Sequence, residues 1–422
     1  MTDRMSVFPK VEIMAPAGSR ESLRAALSAG ADSVYLGLEQ LNMRSRSSSC
    51  FRVEDLSEMV DLCHEAGVKL YITLNVVLFD KDMENMRRMV DAAADTGVDA
   101  LIVSDMAAML YARQRNVPVH ISTQVNVSNL EAVRFYSAFS DVMVLARELS
   151  LDQVKSIHQQ ILREQIKGPS GQLVRLEMFV HGALCMAVSG KCYLSLHQYN
   201  HSANRGECFQ VCRRGYRVSD LETGDSLDID HDYIMSPKDL CTVHFLDRLL
   251  DAGVSVFKIE GRARGPEYVY TVAKTYREAI QSIEEGTYRP ERIEVWRASL
   301  ASVYNRGFWD GYYLGQRLGE WSPLYGSSAT RKKVYLGKCT HYFPRLKVAE
   351  FLLETRSLSV EDSVFVTGPT TGFVPFQVEE LRMDSGNLPS VSKGDLFSMP
   401  VGELVRKGDK LYKWVEASEQ TL

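Results

Sequence analysis

The stretch VEIMAPAGSRESLRAALSAGADSVYLGL, residues 11–38, decides the fold. Its two ends, residues 11–16 and 31–38, are short apolar runs with the length of single strands. Between them, residues 20–29 repeat apolar side chains at steps of three and four, which is the spacing of an amphipathic helix. Gly30 then permits the left-handed conformation that commonly ends a helix. The stretch therefore predicts a strand, a helix and a second strand, the repeating unit of a parallel α/β fold.

The same unit recurs along the first 290 residues. Further apolar runs, with helical patterns between them, predict strands at residues 70–79, 100–104, 117–122, 142–146, 176–180 and 254–259. Apolar runs without alternation are typical of parallel strands that are buried on both faces. Eight such units predict an α/β fold of the TIM-like (β/α)8 barrel type over residues 1–290. The alternative is an open, doubly wound sheet, which is disfavoured because no glycine-rich phosphate-binding turn follows the first strand.

The composition excludes several classes of protein. Of the 422 residues, 45% are hydrophobic and 24% are charged, which excludes a disordered chain. The net charge of −5 excludes a global polycation of the kind that coats nucleic acid. The longest apolar run, residues 70–79, is about half the length of a membrane-spanning helix, and residues 1–10 lack the pattern of a secretory signal. We therefore expect a cytoplasmic protein that does not enter a membrane, and its oligomeric state is left open.

A long insertion interrupts the predicted barrel between its seventh and eighth strands. Residues 185–250 far exceed an ordinary βα loop of about two to six residues, and they contain five of the eight cysteines. The cysteines are spaced C-x6-C-x15-C-x3-C-x28-C, at Cys185, Cys192, Cys208, Cys212 and Cys241. In a chain without an export signal, such thiols are expected to bind metal rather than to form disulfides. Four converging thiolates suit zinc or an iron–sulfur cluster, and the spacing alone does not separate the two.

A second module is expected at the C-terminus. From about residue 332, short runs rich in β-branched and aromatic residues, such as DSVFVTG (362–368) and GDLFSMPV (394–401), are separated by glycine turns. This pattern predicts a small all-β barrel over residues 332–422. The intervening residues 291–331 are expected to form a linker with helical and aromatic segments.

Polar residues follow the predicted strands of the barrel. They occupy positions 17–19, 42–46, 75, 104–105, 123–126, 147–148, 181–182 and 260–262. Each of them alone could be a cap or turn residue. Because the residues after the strands of a barrel line its active face, polar side chains at all eight strand ends together favour a ligand site.

Several motifs resemble those of one family. EMFVHGALC (177–185), SGKCYLS (189–195), NRGEC (204–208), SPKDL (236–240) and KIEGR (258–262) resemble the signature of the peptidase U32 family. The resemblance covers nearly the whole chain, including the β module. The family was named for collagen-degrading activity, but its better-understood branches look like oxygen-independent hydroxylation proteins with a 4Fe–4S cluster. The length and the single β module are similar to the branch that forms 5-hydroxyuridine at tRNA position 34 with prephenate.

The resemblance also implies cluster ligands. The RNA-acting branches point to Cys185, Cys192, Cys208 and Cys212, whereas the ubiquinone-synthesis branch has a ligand at the position of Cys241. We choose Cys212 as the fourth ligand, because a short C-x3-C arm is easier to organise than one that lies 28 residues further on. The stretch SSSC at residues 47–50 departs from the family pattern and leaves the substrate less well defined.

Candidate substrate-binding residues lie at strand ends and in the insertion. Prephenate is a dianion, and guanidinium groups bind carboxylates in a bidentate manner. Arg44, Arg147 and Arg262 are therefore candidates, together with Gln124 at another strand end.

The insertion is also a candidate RNA contact. Between residues 185 and 217 the cations outnumber the acidic residues five to one, and Arg213 and Arg214 could neutralise tRNA phosphates. Their alternative role is to balance the negative charge of the cluster thiolates. Aromatic residues interleave with these cations and could stack a base or pack the loop: Tyr193, Tyr199 and Phe209.

The catalytic residues are not defined by the sequence. His181, Glu148, Lys258 and Glu260 are candidates because they stand at or near strand ends. A peptidase or an enzyme acting on ribosomal RNA or a small molecule remains an alternative, although no G-x-S-x-G or H-E-x-x-H motif is present. A thiol peptidase would pair a cysteine with a histidine, such as Cys185 with His181. The third hypothesis is a non-catalytic RNA-binding scaffold with structural zinc.

Overall fold

The computed structural model describes residues 10–45, 51–216, 218–224, 226–227, 235–316, 319–324 and 326–417. Cys50, with the rest of the departing SSSC stretch, and Arg217 of the basic stretch lie outside the described residues. None of the described helices has both the length and the apolar character needed to cross a lipid bilayer.

The N-terminal domain alternates strands and helices. In chain order they are β1 (Glu12–Pro16), α1 (Arg20–Ser28), β2 (Ser33–Gly37), α2 (Leu56–Glu65), β3 (Lys69–Leu74), α3 (Met83–Thr96), β4 (Ala100–Val103), α4 (Met106–Gln114), β5 (Val119–Ile121), α5 (Leu130–Ser137), β6 (Val142–Val144), α6 (Leu151–Glu164) and β7 (Arg175–Gly182). The insertion contributes α7 (Leu194–Tyr199), β8 (Val218–Ser219), β9 (Ser226–Leu227), β10 (Asp239–Cys241) and α8 (Leu246–Asp251). The domain continues with β11 (Val254–Ile259), α9 (Pro266–Glu284), α10 (Pro290–Ala301) and β12 (Phe308–Trp309).

Eight parallel strands close into a barrel. Neighbours pair in chain order from β1 to β7, and β11 pairs with both β7 and β1. Every residue of β1, β2 and β11 is buried, which explains why these strands read as continuous apolar runs. The predicted (β/α)8 fold is therefore confirmed, and the doubly wound alternative is excluded.

Glycines end the helices as the sequence predicts. Gly30 follows α1 with a φ of 81°, and Gly97 ends α3 with a φ of 78°. A residue with a Cβ is strained in this left-handed region, so glycine lets the chain turn at once into the next strand. The short helix-to-strand connections of the barrel depend on these turns.

The third strand is shorter than the sequence predicts. The apolar run at residues 70–79 predicts one strand, but β3 ends at Leu74. Asn75 then turns into the barrel mouth, where its Nδ2 donates to Ser122 Oγ at 3.3 Å, and Phe79 is exposed at the rim. The predicted strand is too long because the apolar residues that follow Asn75 continue the run although they lie outside the sheet.

The insertion is anchored at the carboxyl end of β7. β10 pairs antiparallel with the last residues of β7, and β12 pairs with β10. Both strands thereby join the barrel sheet. The stretch 291–331, predicted as a linker, contains most of α10 and the whole of β12. Segments far apart in the sequence therefore meet above one side of the barrel.

The C-terminal module is antiparallel. Its strands are β13 (Arg331–Phe343), β14 (Val348–Leu353), β15 (Ser357–Ser359), β16 (Ser363–Gly368), β17 (Gly372–Gln377), β18 (Leu381–Met383), β19 (Gly386–Leu388), β20 (Ser390–Ser392), β21 (Leu396–Pro400) and β22 (Lys410–Glu416). Eight of them form one sheet in the order β17-β16-β22-β13-β14-β21-β18-β19, and β15 pairs with β20. The all-β prediction is confirmed. The predicted small barrel corresponds to an antiparallel sheet in which no ladder joins β17 to β19 among the described strands.

The two modules share an apolar contact. Ala25 of α1 packs with Phe365 and Phe373 of the C-terminal sheet, and the ring of Phe373 lies 5.1 Å from that of Tyr270 in α9. This contact involves the helical outside of the barrel.

Candidate functional site

A cavity opens at the carboxyl ends of the barrel strands. It has a volume of about 280 Å3 and is walled by strand ends and by the insertion. Its cationic side chains are Arg44, Arg147, Arg213, Lys258, Arg262, Arg264 and Arg306. Among the described residues that line it, Glu260 is the one carboxylate. The cavity is therefore suited to an anionic ligand.

Four of the five clustered cysteines line this cavity. Cys185 follows β7 and is exposed, whereas Cys192, Cys208 and Cys212 lie partly buried in the turns of the insertion. Burial, together with the charges of the other three thiols, raises the pKa of Cys212 to about 11, and Arg213 opposes this rise. The pKa of Cys212 therefore depends on the charges of the other three cavity thiols.

Cys241 lies apart from these four thiols. It stands in β10, where it is buried and faces His181 of β7 in the strand register. Burial raises the pKa of its thiol to about 11, and the neighbouring Tyr276 hydroxyl opposes this rise. It is absent from the described residues that line the cavity. The structure thus places Cys212, rather than Cys241, beside the other three cysteines.

The four cavity thiols fit a metal–sulfur group in chemistry and in position. Thiolates bind both zinc and iron–sulfur clusters, and all four open onto one cavity. Within the described ranges, no three Cys, His, Asp or Glu side chains are close enough together to hold a metal ion as they stand. The donor set is present, and binding of a single metal ion by three of these residues would require the side chains to move.

Arg44 and Glu260 form an ion pair at the barrel mouth. Nη2 of Arg44 lies 2.8 Å from Oε1 of Glu260, and Nε donates to the same oxygen at 3.1 Å. Burial alone would raise the pKa of Glu260, but Arg44, Arg147 and Arg262 lower it to about 2. Glu260 is therefore ionised at neutral pH, which suits it to anchoring guanidinium groups and not to donating a proton.

Arg262 and Arg147 point from two other strand ends. Nη1 of Arg262 donates to Asn42 Oδ1 at 3.0 Å and to Thr73 Oγ1 at 2.8 Å. Nη1 of Arg147 donates to the backbone carbonyl that follows β7 at 3.0 Å, and its guanidinium lies 3.8 Å from the centre of the Phe179 ring. The buried Nε of Arg147 has no hydrogen-bond partner among the described residues. Arg147 therefore keeps a donor for a ligand.

A buried charge network supports the cavity floor. Nζ of Lys258 lies 2.6 Å from Oε1 of Glu177, and Nδ1 of His120 lies 3.6 Å from Oε2 of the same carboxylate. The three residues are buried, and Glu177 is wholly inaccessible. Burial acts to raise the pKa of Glu177, but Lys258 and His120 lower it overall. Lys258 thus presents an ammonium to the cavity that is held from below by a carboxylate.

Arg213 and Arg214 differ in environment. Arg213 is largely buried and donates to Ser236 Oγ at 3.0 Å, to the Pro237 carbonyl at 2.6 Å and to the Leu184 carbonyl at 2.6 Å. Arg214 is exposed and donates to the Tyr199 hydroxyl. Arg213 is therefore a brace that ties the two ends of the insertion together, not the surface cation that the sequence suggests for phosphate contact. Arg214 remains available at the surface.

The three aromatic residues of the insertion also differ in environment: two pack within the insertion and one is exposed. The rings of Tyr199 and Phe209 stack with centroids 4.8 Å apart, so they pack the loop. Tyr193 is 74% exposed beside Cys192, which is the position expected of a residue that stacks on a base.

Two of the four catalytic candidates do not line the main cavity. His181 is buried against Tyr276, and burial lowers its pKa to about 3, so it is neutral and structural. Glu148 is exposed and borders a smaller neighbouring cavity of about 30 Å3. Lys258 and Glu260 do line the main cavity, as does Gln124.

Two cationic lining residues are missed by the sequence analysis. Arg306 lies far beyond the last barrel strand in the sequence. In the structure it lines the cavity, where it forms an ion pair with Asp239 at 3.1 Å. No local sequence pattern predicts that Arg306 lies at the cavity. The guanidinium of Arg264 lies 3.4 Å from the centre of the Tyr304 ring. Its place two residues beyond Arg262, after the eighth strand, is the signal that could have found it.

Known proteins resemble this chain over most of its length. The sequence model of peptidase family U32 matches residues 18–323. A protein of Porphyromonas gingivalis named collagenase is 58% identical over 408 residues, which cover 97% of this chain and 99% of that protein. The tRNA hydroxylation protein P1 of Bacillus subtilis is 33% identical over 392 residues, which cover 90% of this chain and 89% of that protein. The 23S rRNA 5-hydroxycytidine C2501 synthase of Escherichia coli is 35% identical over 74% of this chain and 46% of its own length.

These relatives bear names of different activities, a collagenase on one side and two RNA hydroxylation proteins on the other. Family membership does not depend on that difference. The family model spans well over half of the chain, and the relative named collagenase is matched over nearly its whole length. The chain belongs to peptidase family U32.

Proposed function

We propose that the chain is an oxygen-independent RNA hydroxylase that forms 5-hydroxyuridine at tRNA position 34. Cys185, Cys192, Cys208 and Cys212 would hold a 4Fe–4S cluster, which supplies electron-transfer chemistry when bound. The observation that carries the proposal is that four thiols and a cationic wall share one cavity. The names of two relatives support an RNA base as the substrate. An RNA substrate also implies a cytoplasmic location.

Prephenate is the oxygen donor that we propose. Three cations of the cavity are already paired with carboxylates: Arg44 with Glu260, Lys258 with Glu177 and Arg306 with Asp239. Arg264 packs on the Tyr304 ring and forms no ion pair with a carboxylate in the described part of the chain. A carboxylate of the donor would supply the anionic group that this guanidinium lacks.

The size of the cavity also supports this proposal. A volume of about 280 Å3 is near the lower limit of ordinary small-molecule sites. It suits a single flipped base or a small acid better than an extended peptide strand. Enzymes that modify a base take it out of the stack into such a pocket, and Tyr193 stands exposed at the rim to stack on a neighbouring base.

A peptidase is the second candidate, and the 58% identity to a protein named collagenase favours it. A thiol peptidase needs a histidine beside its cysteine. No histidine is found among the described residues that line the cavity, and His181 is buried against Tyr276 with a pKa of about 3. The geometry of the site therefore supports the hydroxylase over the peptidase.

Mass spectrometry of tRNA nucleosides tests the proposed function. In a strain that lacks the gene and any paralogue, 5-hydroxyuridine and its derivatives should be absent from tRNA. The wild-type gene should restore them, and a gene with Cys185→Ser should not, because the variant lacks one cavity thiol. Persistence of 5-hydroxyuridine in the deletion strain would refute the tRNA assignment. Cleavage of denatured collagen by the purified protein, lost in Cys185→Ser, would instead favour the peptidase.

A further inference from the structure

Two oxygen atoms in the cavity wall are buried without hydrogen-bond partners among the described residues. They are Thr123 Oγ1 and Gln124 Oε1, which lie together in the turn of 3-10 helix at Thr123–Val125 that follows β5. Thr123 is only 7% exposed. Because a buried polar atom without a partner is costly, two of them in one wall indicate that a ligand completes the set.

The turn that carries these atoms contacts the cysteine loop. Nδ2 of Asn126 donates to the Ser189 carbonyl at 3.0 Å. A Cβ on Gly190 would lie 2.4 Å from Gln124 Oε1, so the carboxamide lies directly against the backbone of this loop. Ser189 and Gly190 stand between the first two cavity cysteines. A group bound by Gln124 would therefore lie beside the thiols.

An unpartnered donor stands at the next strand end. The segments that follow β5 and β6 are joined by a bridge between Val127 and Leu145, and Arg147 comes two residues after that bridge. Its buried Nε has no partner among the described residues, and Arg147 lines the same cavity as Gln124. The cavity thus offers unmet hydrogen-bonding atoms of both kinds from two neighbouring strand ends.

We infer that Thr123, Gln124 and Arg147 read the imide edge of a uracil base, an inference that rests on the proposed function. Uracil presents one N–H donor between two carbonyl acceptors. Gln124 Oε1 accepts from that N–H, while the Thr123 hydroxyl and Arg147 Nε donate to the carbonyls. Cytosine presents an acceptor in place of the N–H and an amino donor in place of one carbonyl, so it is matched only if Gln124 turns its carboxamide away from its place against Gly190 and the Thr123 hydroxyl accepts instead of donating. These residues therefore determine specificity for uridine over cytidine.

Gln124→Met tests this inference, because methionine keeps the length of the side chain and removes its hydrogen bonds. The deletion strain is complemented with wild type, Gln124→Met or the control Gln159→Met, whose glutamine is exposed on α6. We expect Gln124→Met to lower 5-hydroxyuridine at position 34 by about tenfold, because the N–H of the uracil would be left without its acceptor. The control should match wild type. Thr123→Val, which removes only the hydroxyl, should lower it in the same direction.

A specificity readout separates base reading from support of the loop. The purified proteins are compared on tRNA with uridine or cytidine at position 34, and their iron content is measured. Wild type should strongly prefer uridine, and Gln124→Met should lose that preference while it keeps wild-type iron. Unchanged preference, or loss of iron in Gln124→Met, would overturn the inference. Failure of wild type itself to restore 5-hydroxyuridine would instead overturn the proposed function, and the uracil reading with it.

Discussion

Cys212→Ser is expected to lose the bound iron of the anaerobically purified protein, whereas Cys241→Ser keeps most of it. Cys212 lines the cavity with the other three thiols, and its pKa responds to their charges. Cys241 is buried in β10 against Tyr276 and does not reach the cavity wall in the described structure. Removing one of four ligands should release a cluster, whereas removing a distant thiol should not. Iron and sulfide analysis of the two variants measures the difference.

Circular dichroism of both variants shows whether they are folded, which must be checked because each substitution replaces a thiol with a hydroxyl. Cys241→Ser also loses a buried contact, so it is the variant more exposed to instability. If Cys241→Ser lost the iron while it stayed folded, and Cys212→Ser kept it, the cluster would have to be assigned to the side of the insertion near β10.

Lys258→Met should lower the free energy of unfolding at neutral pH by about 3–5 kcal/mol, the usual effect of removing one partner from a buried ion pair. The ammonium lies 2.6 Å from Glu177, and both side chains are buried. Without the ammonium, a carboxylate is left inside the barrel. Denaturant unfolding measures the loss, and Lys155→Met on the exposed face of α6 is the matched control, expected to cost little.

The same variant should show a defined pH dependence. Burial acts to raise the pKa of Glu177, but Lys258 and His120 lower it overall. In the wild type, this lowered pKa stabilises the fold above the ordinary carboxyl pKa, and that contribution is lost as the pH falls. In Lys258→Met burial dominates and the pKa of Glu177 rises. The deficit should therefore be largest at neutral pH and shrink as the pH falls toward about 4.3.

A second substitution checks the cause of this deficit. Lys258→Met combined with Glu177→Gln removes the stranded charge, so the double variant should be more stable at neutral pH than Lys258→Met alone. A deficit in Lys258→Met that does not change with pH, or that the second substitution fails to relieve, would show that lost packing and not the carboxylate is responsible.

Local patterns predict the barrel well. The apolar runs are continuous because both faces of β1 and β11 are buried, and glycines such as Gly30 end the helices where left-handed turns are needed. Both features depend on residues close together in the sequence. The same composition misleads after Leu74, where the strand ends although the apolar run continues, and where Asn75 donates to Ser122.

The site is only partly predictable because long-range contacts assemble it. Polar strand ends identify Arg147, Arg262 and Gln124, all of which line the cavity. Arg213, by contrast, reads as one of a run of surface cations, although it donates to two backbone carbonyls within the protein. Arg306 lies at the cavity, where it pairs with Asp239 and where β12 pairs with β10, and sequence spacing carries no information about these contacts.

The central claim is that the cavity thiols hold a 4Fe–4S cluster, and metal analysis of the wild-type protein after anaerobic purification tests it most directly. The account predicts about four irons and four sulfides per chain and a brown protein. Stoichiometric zinc without iron or sulfide, in a colourless protein, would contradict it.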